Sequence, residues 1–333
     1  MNAVFLCNDK NNPLRIYDEC TRKKLNMLTG ITDKVYSREE VLENKEQFSD
    51  TRYIFSTWGM PVFTEEEIKD CFPSLECVFY GAGTVQFFAR PFLKSGVKVF
   101  SSWAANAVPV AEYTVSQIIL ANKGFFAASR YQSTGDLEKA AELKECYPGT
   151  FGEAVGIIGA GMIGSLVAEM LKSYRISVKV FDPFLSDEKA EALGVTKCSL
   201  GELFSTCFVV SNHLANNEQT KGMLKKEHFS AMRKYATFIN TGRGAQVVEE
   251  DLCAVLSERE DLTAILDVTY PEPPVEGHPF YSLPNCILTP HIAGSYGDEV
   301  KRMGEYQLMQ LKKYLDGEAT EYEVTLKMLE TMA

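Results

Sequence analysis

A chain of 333 residues exceeds the size at which one hydrophobic core keeps growing, so two domains are expected before any motif is read. Hydrophobic residues make up 45% and charged ones 24%, which excludes a disordered chain, and a formal charge of -11 disfavours nucleic acid and anionic membrane surfaces as partners. The 9 cysteines are scattered without a Cys-x-x-Cys pair, beside only 4 histidines, and read as reduced thiols of a cytoplasmic protein with no metal site. Met1 to Lys10 lacks the basic start and small-residue cleavage site of a signal peptide. Ala154 to Leu171 is interrupted by glycines and Glu169, so it reads as strand, turn and helix rather than a membrane span.

In chain order, short apolar runs alternate with helical patterns, the signature of parallel strands joined by crossover helices. The first set comprises Ala3 to Cys7, Tyr53 to Ser56, Cys77 to Tyr80 and Val97 to Phe100. Ser37 with Glu40, and Thr64 with Glu67, predict capped helix starts between them. Pro109 to Gly124 predicts a long apolar helix. A second set follows at Ala154 to Ile158, Val178 to Phe181, Phe208 to Val210, Ala236 to Ile239, Ala264 to Leu266 and Cys286 to Leu288, with Ser199 and Glu202 capping a helix inside it. Asp298 to Leu315 predicts a closing helix, stopped by Gly317, that reaches back to the first set.

Gly159-Ala160-Gly161-Met162-Ile163-Gly164 fits G-x-G-x-x-G, follows an apolar strand and opens a helical segment, Ser165 to Lys172. Gly159 permits the tight turn, Gly161 lets a pyrophosphate approach the backbone, and Gly164 lets helix and strand pack closely. The amides of this turn, Met162 and Ile163 included, then face the anion at a helix N-terminus. Asp182 ends the next strand, where its carboxylate accepts from ribose hydroxyls and repels a 2'-phosphate, so the cofactor expected is NAD. A purely structural turn would not require three glycines in register.

Further along stand Asn240-Thr241-Gly242-Arg243-Gly244, Leu266-Asp267-Val268 with Glu272-Pro273, and Thr289-Pro290-His291-Ile292-Ala293-Gly294. With Gly81-Ala82-Gly83, Asn106 to Glu112 and Asn212-His213-Leu214, this ordered set resembles the D-isomer-specific 2-hydroxyacid dehydrogenases, by motif over residues 77 to 300. The resemblance implies an α/β fold of two Rossmann- or flavodoxin-like parallel-sheet domains. Residues 1–103 and 295–333 would form the substrate domain, and 104–294 an inserted NAD-binding domain. It implies hydride transfer between NAD and C2 of a small 2-oxo or 2-hydroxy acid.

In that implied site His291 is the general acid and base, Glu272 fixes its tautomer and favours its charged form, and Arg243 holds the substrate carboxylate and polarises the carbonyl. His213, Thr241, Arg243 and Asp267 would line the cofactor, Asp267 near the carboxamide. The N-H groups of Gly81, Ala82 and Gly83 would complete the carboxylate cradle, with Trp58 walling the pocket and Trp103 a weaker candidate. Domain closure would exclude water. The helix 109–124 would pack in a homodimer, or else be buried within one subunit.

The chain departs from the family's usual pattern at Thr84-Val85-Gln86-Phe87-Phe88, and at His213-Leu214-Ala215 where relatives often read His-x-Pro. It lacks the extra basic residues expected for a phosphorylated substrate. His228 and His278 read as structural or solvated. The competing reading is a non-catalytic NAD(H)-sensing protein of the same fold, like the C-terminal-binding corepressors. A third, an enzyme for an amino or one-carbon acid, is disfavoured in its formate branch by the presence of Glu272.

Overall fold

The computed structural model describes residues 2–330, so Met1 and residues 331–333 of the expected substrate domain lie outside the described residues. The chain divides into two compact units: residues up to Asn106 together with those from Ser295 onward, and Ala107–Gly294. The apolar runs of the first unit form β1 (Ala3–Leu6), β2 (Val35–Tyr36), β3 (Tyr53–Ser56), β4 (Cys77–Tyr80) and β5 (Lys98–Ser101). They are parallel in the order β2-β1-β3-β4-β5, the flavodoxin-like arrangement. Every residue of β1, β3 and β4 is buried because both sheet faces are covered. Val4, Leu6, Ile54 and Val78 serve one core. Phe5, Phe55, Phe79 and Phe100 alternate onto the other, where Phe79 stacks on both Phe55 and Phe100 at about 5 Å.

In the second unit β6 (Ala154–Ile158), β7 (Ser177–Phe181), β8 (Thr196–Lys197), β9 (Val209–Asn212), β10 (Thr237–Asn240), β11 (Thr263–Leu266) and β12 (Cys286–Leu288) form one parallel sheet. Its order, β12-β11-β10-β9-β6-β7-β8, reverses direction between β6 and β9. In a doubly wound sheet that reversal opens a crevice at the strands' carboxyl ends, and the glycine turn follows β6 directly.

The closing helix is Val300–Leu315, preceded by a single 3-10 turn, and β13 (Glu323–Val324) then pairs antiparallel with β5 at the edge of the first sheet. Met303, Leu308 and Leu311 lie in the same core as Ile16, Tyr17 and Leu25. Gln307 donates to the Tyr80 carbonyl and to Ser102 Oγ, whose hydroxyl donates to the Met303 carbonyl, while Gln307 Oε1 has no partner among the described residues.

Ser37 and Thr64 open their helices as reciprocal capping boxes, and Ser199 accepts from the Glu202 N-H. Other boundaries differ from the sequence expectation. The helix expected from Pro109 begins at Trp103 and carries the proline inside it, since the intervening residues, largely alanine, already support a helix. Its Ala111, Val115, Ile118 and Ala121 are buried in the core of the second unit. Helices Phe125–Thr134 and Leu137–Glu142 were not anticipated.

Gly304 lies on the closing helix where an added Cβ would stand 2.4 Å from the Ile16 carbonyl oxygen, a backbone atom that cannot swing aside. Gly201, also helical, meets nothing within 4 Å. We expect Gly304→Ala to lower stability by about 1–3 kcal/mol through overpacking, and Gly201→Ala to raise it by up to about 1 kcal/mol through helix propensity. Thermal melts of the two variants check both signs.

Candidate active site

The turn after β6 depends on contacts that forbid side chains at two positions. Gly159 has φ +89°, and a Cβ there would lie 2.9 Å from the His213 carbonyl oxygen. At Gly164 a Cβ would lie 1.9 Å from the Gly159 oxygen, so the helix could not pack on its own turn. Gly161 differs, because nothing lies within 4 Å of its missing Cβ. That open space sits at the start of helix Met162–Leu171, where the Met162 and Ile163 N-H groups have no partner among the described residues. An unfilled cradle of this kind, with free amides and the positive end of a helix, fits a pyrophosphate.

Asp182 closes the turn from the side. One carboxylate oxygen accepts from Ala160 N at 2.7 Å and the other from Phe184 N at 2.8 Å. Each oxygen keeps a lone pair for a ribose hydroxyl. The side chains of His213 and Thr241 bond to each other and to neighbours within the second unit. His213 is buried with Nε2 2.9 Å from Ser211 Oγ and Nδ1 3.4 Å from Thr241 Oγ1, which in turn lies 3.3 Å from Thr114 Oγ1. Both ring nitrogens therefore have partners inside the domain.

Arg243 leaves β10 in extended conformation. Its N-H donates to Gln246 Oε1 and its carbonyl accepts from Asn240 Nδ2. Gln246 also accepts from Asn212 Nδ2 and donates to the Leu214 and Ala215 carbonyls, tying the ends of β9 and β10 together. The sequence reading passed over Gln246. Its signal was a long polar residue three positions after Arg243, among apolar neighbours. The guanidinium donates to the Gly242 carbonyl at 2.7 Å and makes no ion pair within 4.0 Å among the described residues. Burial pulls its pKa down, with the Glu272 charge acting in the opposite direction. A largely desolvated guanidinium with most of its N-H fork unmatched calls for an anion.

Glu272 and His291 meet directly, Oε1 to Nδ1 at 2.7 Å, both side chains about half exposed. With Glu272 ionised, Nδ1 carries the shared proton and Nε2 is left free to exchange one with a reactant. His291 has φ +55°, a left-handed conformation costing a β-carbon-bearing residue about 1–2 kcal/mol. Asp267 holds it there. Its carbonyl accepts from His291 N, Oδ1 from Thr289 Oγ1 and Ile292 N, and Oδ2 from Ala293 N. Asp267, expected near a carboxamide, is 2% exposed and is used on the loop that presents His291.

Residues 115–293 match the family model described as D-isomer specific 2-hydroxyacid dehydrogenase, NAD binding domain. The chain belongs to this 2-hydroxyacid dehydrogenase family. Over 206 residues it is 35% identical to YoaD of Bacillus subtilis, provisionally named a 2-hydroxyacid dehydrogenase, covering 61% of this chain and 59% of that protein. D-3-phosphoglycerate dehydrogenase of Methanocaldococcus jannaschii is 28% identical over 249 residues, 74% of this chain and 46% of that protein. This dehydrogenase-family chain thus matches about half the length of those relatives. The crystal structure of Rhodotorula graminis D-mandelate dehydrogenase superposes with a TM-score of 0.80 at 19% identity, covering 97% of each chain, and establishes the shared fold.

Within the first unit, the turn Gly81-Ala82-Gly83 after β4 is only partly available. Gly81 N donates to the Ser56 carbonyl at 2.8 Å, so its amide cannot join a carboxylate cradle as expected. Its glycine is needed because a Cβ would lie 2.8 Å from Ile16 Cγ2. Ala82 N and Gly83 N have no hydrogen-bond partner among the described residues. Trp58 is 36% exposed in the loop after β3, whereas Trp103 packs against the core and edge-on to Tyr322.

Burial without a compensating charge pushes His213 down from 6.5 to about 3. The native state refuses a proton that the unfolded chain accepts. The stability from neutral His213 is therefore fully present above the ordinary histidine pKa and is lost as pH falls toward the folded value. The stability advantage of wild type over His213→Gln should narrow by about 2 kcal/mol between pH 7 and pH 5. Urea unfolding at both pH values measures it, and a gap that does not change with pH would contradict a proton-excluding ring.

Proposed function

We propose that this chain interconverts a 2-oxo acid and a D-2-hydroxy acid, with NAD(H) as its cofactor. The observation that carries this reading is the largely buried Arg243 guanidinium without an anion, in the same unit as the Glu272–His291 pair. A bound nicotinamide supplies or accepts the hydride at C2.

In the reducing direction the carbonyl π electrons move to oxygen, and that oxygen takes a proton from His291 Nε2. Glu272 on Nδ1 stabilises the imidazolium before transfer and keeps Nε2 directed outward. Arg243 pairs with the substrate carboxylate through two parallel N-H groups and polarises the carbonyl. In the first unit, the Ala82 and Gly83 N-H groups, without a hydrogen-bond partner among the described residues, and the exposed Trp58 are candidates for substrate contact.

Met162 N and Ile163 N would hold the pyrophosphate, for which the missing side chain of Gly161 leaves room. Asp182 takes the adenosine ribose and disfavours a 2'-phosphate, which supports NAD over NADP. A cytoplasmic homodimer is part of the same proposal; among the described residues no helix is long and apolar enough to cross a membrane, and Ile119 and Leu120 of the long helix remain half-buried.

A panel of glyoxylate, hydroxypyruvate, and branched and aromatic 2-oxo acids, followed by NADH fluorescence, tests the reaction. At least one acid should be reduced, and His291→Ala should lower kcat by at least about 100-fold while leaving NADH affinity intact. NADH binding without turnover on any acid would favour the corepressor-like reading instead. Asp182→Ala should narrow the ratio of NADH to NADPH affinity, read by fluorescence titration. An unchanged ratio contradicts the role given to Asp182.

A further inference from the structure

Behind the Glu272 loop lies a second carboxylate and imidazole that the proposed reaction does not use. Glu249 opens helix Glu249–Glu258, is 7% exposed, and accepts from Tyr270 N through Oε1 at 2.8 Å. Its Oε2 faces His278 Nε2 at 3.5 Å. His278 Nδ1 accepts from Phe280 N, which leaves the ring proton on Nε2, directed at Glu249. One continuous chain of polar contacts thus runs from the Phe280 amide through His278 and Glu249 to the Tyr270 amide.

Tyr270 stands two residues before Glu272. The intervening backbone is braced by Thr269 Oγ1 donating to the Pro271 carbonyl. On its other side, a Cβ at Gly244, the residue after Arg243, would lie 2.0 Å from the Thr269 carbonyl carbon. The stretch 269–271 is therefore wedged between the Arg243 turn and Glu249, and carries Glu272 to His291.

We propose that Glu249, oriented by His278, is a positioning residue that sets the Tyr270–Pro273 stretch and so the reach of Glu272 to His291. The inference rests on the acid–base reading of that pair. Burial pushes the Glu249 carboxyl up to about 7; the Tyr270 N-H draws it down and the Glu250 charge adds to the rise. The groups facing it are Glu250 and Cys253 on its own helix, Cys286 of β12, and His278. Burial pushes Cys253 up to about 11 and Cys286 up to about 12, so both thiols stay neutral where the Glu249 carboxyl titrates.

The test uses the full chain. First, the Tyr270 amide nitrogen is followed by NMR from pH 5.5 to 8.5 without substrate. It should titrate with a midpoint near neutrality in wild type and be flat in Glu249→Gln; a flat wild-type profile overturns the proposal. Because that measurement needs no turnover, inactivity on every 2-oxo acid would sink the reading of Glu272 and His291 while leaving the Glu249 contact measurable.

Second, Glu249→Gln keeps an oxygen for Tyr270 N. It should hold kcat within about threefold at pH 8, with the shape of the kcat pH profile changed from that of wild type because the Glu249 titration is gone. Glu249→Ala should lose at least about tenfold in kcat with KM and NADH affinity within twofold. If both variants keep the wild-type kcat and pH profile, or if Glu249→Gln loses as much kcat as Glu249→Ala, the positioning role is wrong.

Discussion

The site depends on one buried carboxylate. Asp267, at the end of β11, accepts through its side chain from Thr289, Ile292 and Ala293 and through its backbone from His291. Those bonds hold a β-carbon-bearing residue in left-handed conformation and aim its ring at Glu272. Without a charge-assisted network of that kind the loop would relax toward ordinary backbone angles, and the distance between Nδ1 and Oε1 would no longer be set. Because β11 is an interior strand of the parallel sheet, the carboxylate is fixed by the same packing that forms the core.

The same arrangement recurs in less charged form around Arg243. Asn240, Asn212 and Gln246 are buried polar side chains at the ends of β10 and β9 and just beyond, and they bond mainly to one another and to loop backbone. In each case the loop leaving a strand is held by a side chain that the rigid sheet carries. Functional groups on loops can then be positioned to a few tenths of an ångström without the loops being long or helical.

The strand-turn-helix of the glycine motif was legible because each requirement is local. Periodicity marks β6, and the glycine spacing marks the turn. The capping boxes at Ser37 and Thr64 were legible for the same reason. The two-residue strands β2, β8 and β13 are too short to carry any alternation and exist through pairing with β1, β7 and β5. The occupied amide of Gly81, the inward use of His213 and the pairing of Glu249 with His278 are contacts between residues 2 to 29 positions apart, and whether such a group is free or bonded depends on packing that no motif encodes. The order of Arg243, Glu272 and His291 along the chain identified the candidates, and the direct contact between the latter two is the part only coordinates supply.

An arginine at position 243 also answers a difficulty raised by the overall charge. In a chain of formal charge -11, an anionic substrate approaches against the protein's mean field and requires a cation that stays charged when desolvated. Burial lowers the Arg243 pKa from 12.5, and the nearby Glu272 only partly counters it. A guanidinium tolerates that shift and remains ionised near neutral pH, whereas an ammonium begins about two units lower and would be brought closer to losing its proton in the same surroundings. The guanidinium also keeps a planar fork of donors after its bond to Gly242, a geometry matched to a carboxylate and unavailable to a lysine at the same place.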